Sequence, residues 1–143
     1  MTEQENNVSF FRFEDLRIYA KAMEYIAWAH RTVIHFPENQ QIILGEKFAK
    51  SAQGIALNIA EGSGRNKVQF IYFLKIARNF VRECVVFTEI AAKLAILREE
   101  EISYSRCQLM EMTKMIGKLV SDLQNSAATT ANEEKIDKFP DQL

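Results

Sequence analysis

Chain breakers are scarce in this sequence: 143 residues hold five glycines and two prolines. Those two residues cost most in a helix interior. Their scarcity, beside abundant Ala, Leu, Glu, Lys, Arg, Met and Gln, favours helices over sheets. Long apolar runs are missing as well. No stretch approaches the roughly 18 uninterrupted apolar residues of a spanning helix. The first residues, MTEQENNVS, are polar and acidic where a secretory signal would be basic and then apolar. The expectation is a cytoplasmic protein with no membrane partner. Cysteine is limited to Cys84 and Cys107, set among apolar residues without a CxxC spacing, which points to buried reduced thiols and away from zinc. The two histidines, His30 and His35, have no glutamate three residues before them, so the Glu-x-x-His pairs of a di-iron bundle are absent. No Gly-x-Ser-x-Gly elbow, Walker loop or zinc pattern occurs. The reading is a protein that is not an enzyme, with no catalytic residue, metal or cofactor.

What is present is 48% hydrophobic and 26% charged residues, the balance of one compact globular domain. Apolar residues recur at steps of three and four in four segments, the signature of amphipathic helices. The first runs from about Glu14 to His35 with Leu16, Tyr19, Met23, Ile26, His30 and Val33 on its seam, and ends at Phe36-Pro37 because a residue before proline is driven out of helical geometry. The second runs from about Gln41 to Glu61 on Phe48, Ala52, Ile55 and Ile59, and stops at Gly62 and Gly64. The third, about Lys67 to Leu94, carries Phe70, Phe73, Ala77, Phe80, Cys84, Phe87, Ala91 and Leu94. The fourth, about Glu99 to Leu123, carries Ile102, Ser105, Leu109, Met112, Ile116, Leu119 and Leu123. Short connections between long helices imply an all-α, antiparallel up-down four-helix bundle over residues 13–124, with flexible segments at 1–12 and 125–143.

Two helices hold more apolar residues than one seam accounts for. Ile18, Tyr25 and Trp28 lie off the stripe read for the first helix, and Leu74, Val81 and Val85 widen the arc of the third. Apolar surplus on a surface helix marks contact with another subunit, so these six are the candidate oligomer interface, and the first partner expected is a second copy of the chain.

Charge is uneven. The net charge is −1, yet residues 10–125 hold 16 basic and 13 acidic side chains while the flanks hold 2 and 6. Between Lys47 and Arg82 seven basic residues (Lys47, Lys50, Arg65, Lys67, Lys75, Arg78 and Arg82) face a single acidic one, Glu61. At about 100° per residue, Lys67, Lys75, Arg78 and Arg82 share one stripe of the third helix, away from its phenylalanines. A basic stripe is the electrostatic footprint of a nucleic-acid site, and these seven are the candidate nucleic-acid-binding residues. Glu61 and Arg65 bracket the Gly62–Gly64 turn with Asn58 one helical turn earlier, a cluster placed to close the helix end.

At FEDLRIYAKAM, NIAEGSGR and FIYFLKIARNFVREC the chain resembles the four-helix-bundle family of bacterial 23S rRNA intervening-sequence proteins, over roughly Phe13 to Leu123. NIAEGSGR is the best marker, similar to the family's turn between helices two and three. Where that family commonly has proline, two residues before the motif asparagine, this chain has Ala56, which implies a straighter second helix. The resemblance implies a subunit often assembled as a ring-like homopentamer. It extends to the accessory protein of diversity-generating retroelements, a pentameric relative that associates with a reverse transcriptase and RNA. Those relatives are strongly basic and this chain is not, so the resemblance speaks more for self-assembly than for nucleic acid. Two functions therefore stand: an oligomeric adaptor that binds RNA or a nucleic-acid-handling protein through a repeated basic face, and an assembly or protein-interaction module without nucleic-acid affinity.

Overall fold

The computed structural model describes residues 10–130, with side chains to residue 126. A 3-10 turn, Arg12–Asp15, leads through an extended Leu16 into α1 (Arg17–Val33). Phe36-Pro37 closes α1 as the sequence implies. The chain then re-enters through a short α turn, Glu38–Gln40, and a π turn, Gln41–Gly45, that feeds directly into α2 (Glu46–Ser63). Gln41 stabilises this corner by donating from Nε2 to the carbonyls of Ile34 at 2.9 Å and Phe36 at 3.0 Å, two acceptors left open by the end of α1. α3 spans Lys67–Lys93 and α4 Glu99–Thr130. Helix α4 thus continues six residues past Gln124, where the tail was expected to begin; residues 1–9 and 131–143 lie outside the described residues.

The antiparallel order follows from side-chain levels. On the α2–α3 seam, Phe48 stacks on Phe87 at 5.8 Å, Ser51 Oγ donates to Glu83 Oε1 at 2.6 Å, and a Cβ added to Gly54 would stand 2.6 Å from the Phe80 ring. Ascending α2 is descending α3. The same relation joins α1 to α4, where Lys21 pairs with Glu111 and Tyr25 bonds Ser105. Contacts run α1–α2, α2–α3, α3–α4 and α4–α1, so α1 and α3 occupy diagonal corners. This is the expected all-α four-helix bundle.

Which residues face the core differs from the sequence reading in two helices. In α1 the buried set is Ile18, Ala22, Tyr25, Ala29, Thr32 and Val33, while Met23 is 44% exposed and His30 lies at the surface, bonded to Gln53. Alanines hold the true seam. Small side chains let α1 approach closely, but they weigh little in a pattern read from bulky residues. In α3 the buried positions are Phe70, Leu74, Ala77, Val81, Cys84, Thr88 and Ala91. Phe73, Phe80 and Phe87 stand one position to the side, half-buried, with Phe73 over Gly62, Phe80 over Gly54 and Phe87 on Phe48. The phenylalanines are the knobs of the α2–α3 seam, and the glycines are the holes that receive them.

The core also carries a polar chain. Tyr25 Oη and Ser105 Oγ are 2.7 Å apart, Ser105 Oγ and Thr88 Oγ1 are 2.7 Å apart, and Thr88 donates to the Cys84 carbonyl at 2.8 Å. All four residues are fully buried, and the bonds tie α1, α4 and α3 at one level. Burial pushes the Tyr25 hydroxyl and the Cys84 thiol far above their ordinary values, so both stay neutral. The expectation of two buried thiols holds for Cys84 and fails for Cys107, which is exposed.

Candidate nucleic-acid interface

The turn between α2 and α3 positions the basic residues. A Cβ at Gly62 would meet Phe73 Cβ at 2.7 Å, so only glycine lets α2 end this close to α3. Asn66 starts α3, its Oδ1 accepting from the Gln69 N–H at 2.8 Å, the ordinary role of an N-cap. Arg65 folds back: its Nε donates to Glu61 Oε2 at 3.0 Å and its guanidinium lies 4.9 Å from the Phe73 ring centre. The anticipated Glu61–Arg65 pair is present. Asn58 does not join it and donates to the Gly54 carbonyl at 2.8 Å.

The seven candidate basic residues fall into three groups. Lys47 and Lys50 are exposed on α2 near the level where Ser51 bonds Glu83. Arg65 is engaged at the turn. Lys67, Lys75, Arg78 and Arg82 keep their common line on α3, and that line runs along the flank nearest α4: Lys67 Nζ donates to Ser126, and Glu89, seven residues past Arg82 on the same line, reaches Arg106 at 3.7 Å. Lys67 to Arg82 covers about 22 Å at 1.5 Å per residue. The line holds no acidic side chain until Glu89. Arg78 lies half-buried against the bundle, its Nε shielded from solvent and without a hydrogen-bond partner among the described residues; Arg82 bonds Asn79 at 3.2 Å. The sequence window missed Arg106, because a residue so distant along the chain joins this flank only through the α3–α4 pairing. It also stopped one residue short of both Glu46 and Glu83, which temper the charge around Lys47 and Lys50.

The six candidate interface residues are placed otherwise than expected. Ile18, Tyr25, Leu74 and Val81 are buried in the chain's own core, and Trp28 and Val85 pack half-buried against it. They interlock the four helices and present no exposed strip. The apolar surface lies elsewhere: Ile34, Ile42 and Ile43 at the α1–α2 corner, Val86, Ile90 and Leu94 on the outer face of α3, and Phe10 and Phe11 ahead of α1. The i, i+4, i+8 spacing of Val86, Ile90 and Leu94 was the available signal. Among the described residues, no three His, Cys, Asp or Glu side chains gather so as to hold a metal ion, and no helix is long and apolar enough to cross a membrane.

With this geometry in view, a family model described as 23S rRNA-intervening sequence protein matches residues 14–118. The chain belongs to that family. The matched span takes in α1, α2, the Asn58–Arg65 turn, all four cations of the α3 line and α4 as far as Lys118. A search of curated proteins finds no match to the chain.

Proposed function

We propose that this protein is a non-enzymatic, self-assembling adaptor that binds RNA through the α3 flank facing α4. The observation that carries the reading is the uninterrupted line Lys67, Lys75, Arg78 and Arg82, which meets no acidic side chain on α3 until Glu89. The family's own description links it to ribosomal RNA. The non-enzymatic part is supported by the core, where the Tyr25, Thr88 and Ser105 hydroxyls are bonded in a chain that ends on the Cys84 carbonyl and the Cys84 thiol is buried beside them, out of reach of a substrate. Self-assembly, which the resemblance extends to a ring of five, would repeat the line around the particle and multiply weak phosphate contacts.

Lys47, Lys50 and Arg65 take a lesser part in this reading, since the fold sets them apart from the α3 line. The test is binding of a structured ribosomal RNA fragment between about 50 and 200 mM salt, where each phosphate contact adds roughly 0.7–0.9 to the log–log salt slope. Four contacts give a slope near 3. Arg78→Glu with Arg82→Glu should abolish binding with the helical content unchanged, whereas Lys47→Glu with Lys50→Glu should weaken it only modestly. Absence of wild-type binding at low salt, or equal binding by both double variants, would leave an assembly module without nucleic-acid affinity, a reading favoured by the exposed apolar residues.

A further inference from the structure

The cation line of α3 borders an open trough. On the α4 bank, Thr113, Gly117 and Gln124 fall on the same side of the helix as Arg106, which faces α3, at about 100° per residue. No described residue on that side between Arg106 and Gln124 is acidic. The pairs Thr88–Ser105 and Lys67–Ser126 set the level of the two helices and bring Gly117 opposite Lys75 and Arg78. A Cβ built on Gly117 would meet nothing within 4 Å, so the trough is unfilled there. Across it, Lys67, Lys75, Arg78 and Arg82 form no ion pair among the described residues. Val68, 48% exposed, stands seven residues before Lys75 and shares its line.

We propose that the acidic segment 131–143 lies back along this trough over Lys67, Lys75, Arg78 and Arg82 of its own chain, so that RNA must displace it to reach the line. The competition with RNA rests on the function proposed above; the docking does not. The occupant follows from charge and from where α4 delivers it. Residues 131–143 lie outside the described residues, and their sequence holds Glu133, Glu134, Asp137 and Asp141 against Lys135 and Lys138. Lys67 donates to Ser126, so α4 runs out beside the first cation of the line.

Reach decides that the segment is long enough. Thr130 stands about 6 Å beyond the level of Lys67, which puts Lys75 about 18 Å and Arg82 about 28 Å back along the bundle. At about 3.3 Å per extended residue, Asp137 reaches roughly 23 Å from Thr130 and Asp141 roughly 36 Å. Glu133 and Glu134 therefore serve Lys67, Asp137 serves Lys75, and Asp141 serves Arg78 and Arg82. Ile136 comes within reach of Val68. Exposed ion pairs are weak singly, but a segment tethered beside its site acts at an effective concentration in the millimolar range. Several weak pairs then suffice to keep the line covered at low salt.

Carbodiimide coupling of the full chain, which joins a carboxylate to an amine only where they touch, tests the docking without RNA. Peptide mass spectrometry should find Glu133, Glu134 or Asp137 joined to Lys67 and Lys75 in preference to the exposed Lys47, Lys50 and Lys114. The yield should fall at about 0.5 M salt, where such pairs are screened. A mixture with isotope-labelled chains should place the links within one chain; links spread over all lysines, or formed between chains, overturn the proposal. The second measurement is affinity for the structured ribosomal RNA fragment at about 50 mM salt. Neutralising the segment with Glu133→Gln, Glu134→Gln, Asp137→Asn and Asp141→Asn should tighten binding about tenfold. Glu24→Gln, Glu38→Gln, Glu46→Gln and Glu99→Gln together remove as many charges from other faces and should tighten it less than about threefold. Equal gains would reduce the segment to net charge and overturn the competition. If neither wild type nor variant binds RNA, the RNA reading falls and the competition with it, and the coupling pattern alone decides the docking.

Discussion

Ala95 turns the chain from α3 toward α4 in the left-handed region, φ 59°. Its neighbours complete a Schellman closure, the Ile96 N–H donating to the Ala91 carbonyl at 3.0 Å and the Ala95 N–H to Ala92 at 3.0 Å. A side chain in that conformation costs about 1 kcal/mol that glycine does not. Ala95→Gly should therefore raise the urea midpoint by an amount equivalent to about 1 kcal/mol at unchanged slope; an unmoved midpoint would mean the turn relaxes without strain. The two cysteines make a second comparison at this scale. Thiolates are the reactive form, and burial holds Cys84 protonated, whereas Cys107 is exposed. A maleimide should label one thiol in the native protein and two after denaturation, with Cys107→Ser removing the native signal. The sequence placed both thiols among apolar neighbours, and only the facing of each helix separates them.

The α2–α3 pair is the most demanding element of the bundle, because glycine is held there by shape. Alanine is the better helix former by about 1 kcal/mol, yet at Gly54 its methyl would overlap the Phe80 ring, and overpacking costs about 1–3 kcal/mol. Gly54→Ala should destabilise, and the loss should vanish or reverse when Phe80→Ala is already present, a coupling that a double-mutant cycle reads directly. Gly117, with no neighbour near a built Cβ, is the contrasting case: Gly117→Ala should stabilise by about 1 kcal/mol. These pairings explain what the sequence made legible. The three–four rhythm located four helices and the seams of α2 and α4 because bulky residues mark them. It misplaced α1, whose core face is carried by Ala22 and Ala29, and shifted α3, where phenylalanines and the adjacent Leu74 and Val81 are apolar on neighbouring lines. Periodicity ranks size; burial here follows which small residue lies opposite. The π turn at Gln41–Gly45 left no periodic mark at all.

For the molecule as a whole, acid should loosen the bundle through carboxylates that are paired when folded. The hydrogen bond from Lys21 holds Glu111 below the usual carboxylate range. Partial burial pushes Glu101 up, but hydrogen bonds from the Arg98 guanidinium and backbone N–H outweigh it and leave Glu101 low as well. Groups lowered on folding stabilise fully above their unfolded value of about 4.3, and that contribution is lost as pH falls through the lower folded values. The melting temperature should therefore drop most steeply below about pH 4, and Glu101→Gln with Glu111→Gln should flatten the decline. The four-cation stripe of α3 was legible from helical spacing, but the separation of Lys47, Lys50 and Arg65 from it was not, since that depends on which flank of α3 α4 covers. The same arrangement of helices surrounds the single tryptophan. Trp28 lies 5.4 Å from the Tyr25 ring, 5.2 Å from Tyr104 and 6.5 Å from Phe48, at the meeting of α1, α4 and α2 and away from the outer face of α3. Light absorbed by Tyr25 and Tyr104 should pass to that half-buried indole, so the folded subunit should emit one indole band bluer than that of the unfolded chain. It should keep its colour while subunits part and turn red only when a bundle opens, so that one optical signal tells disassembly from unfolding.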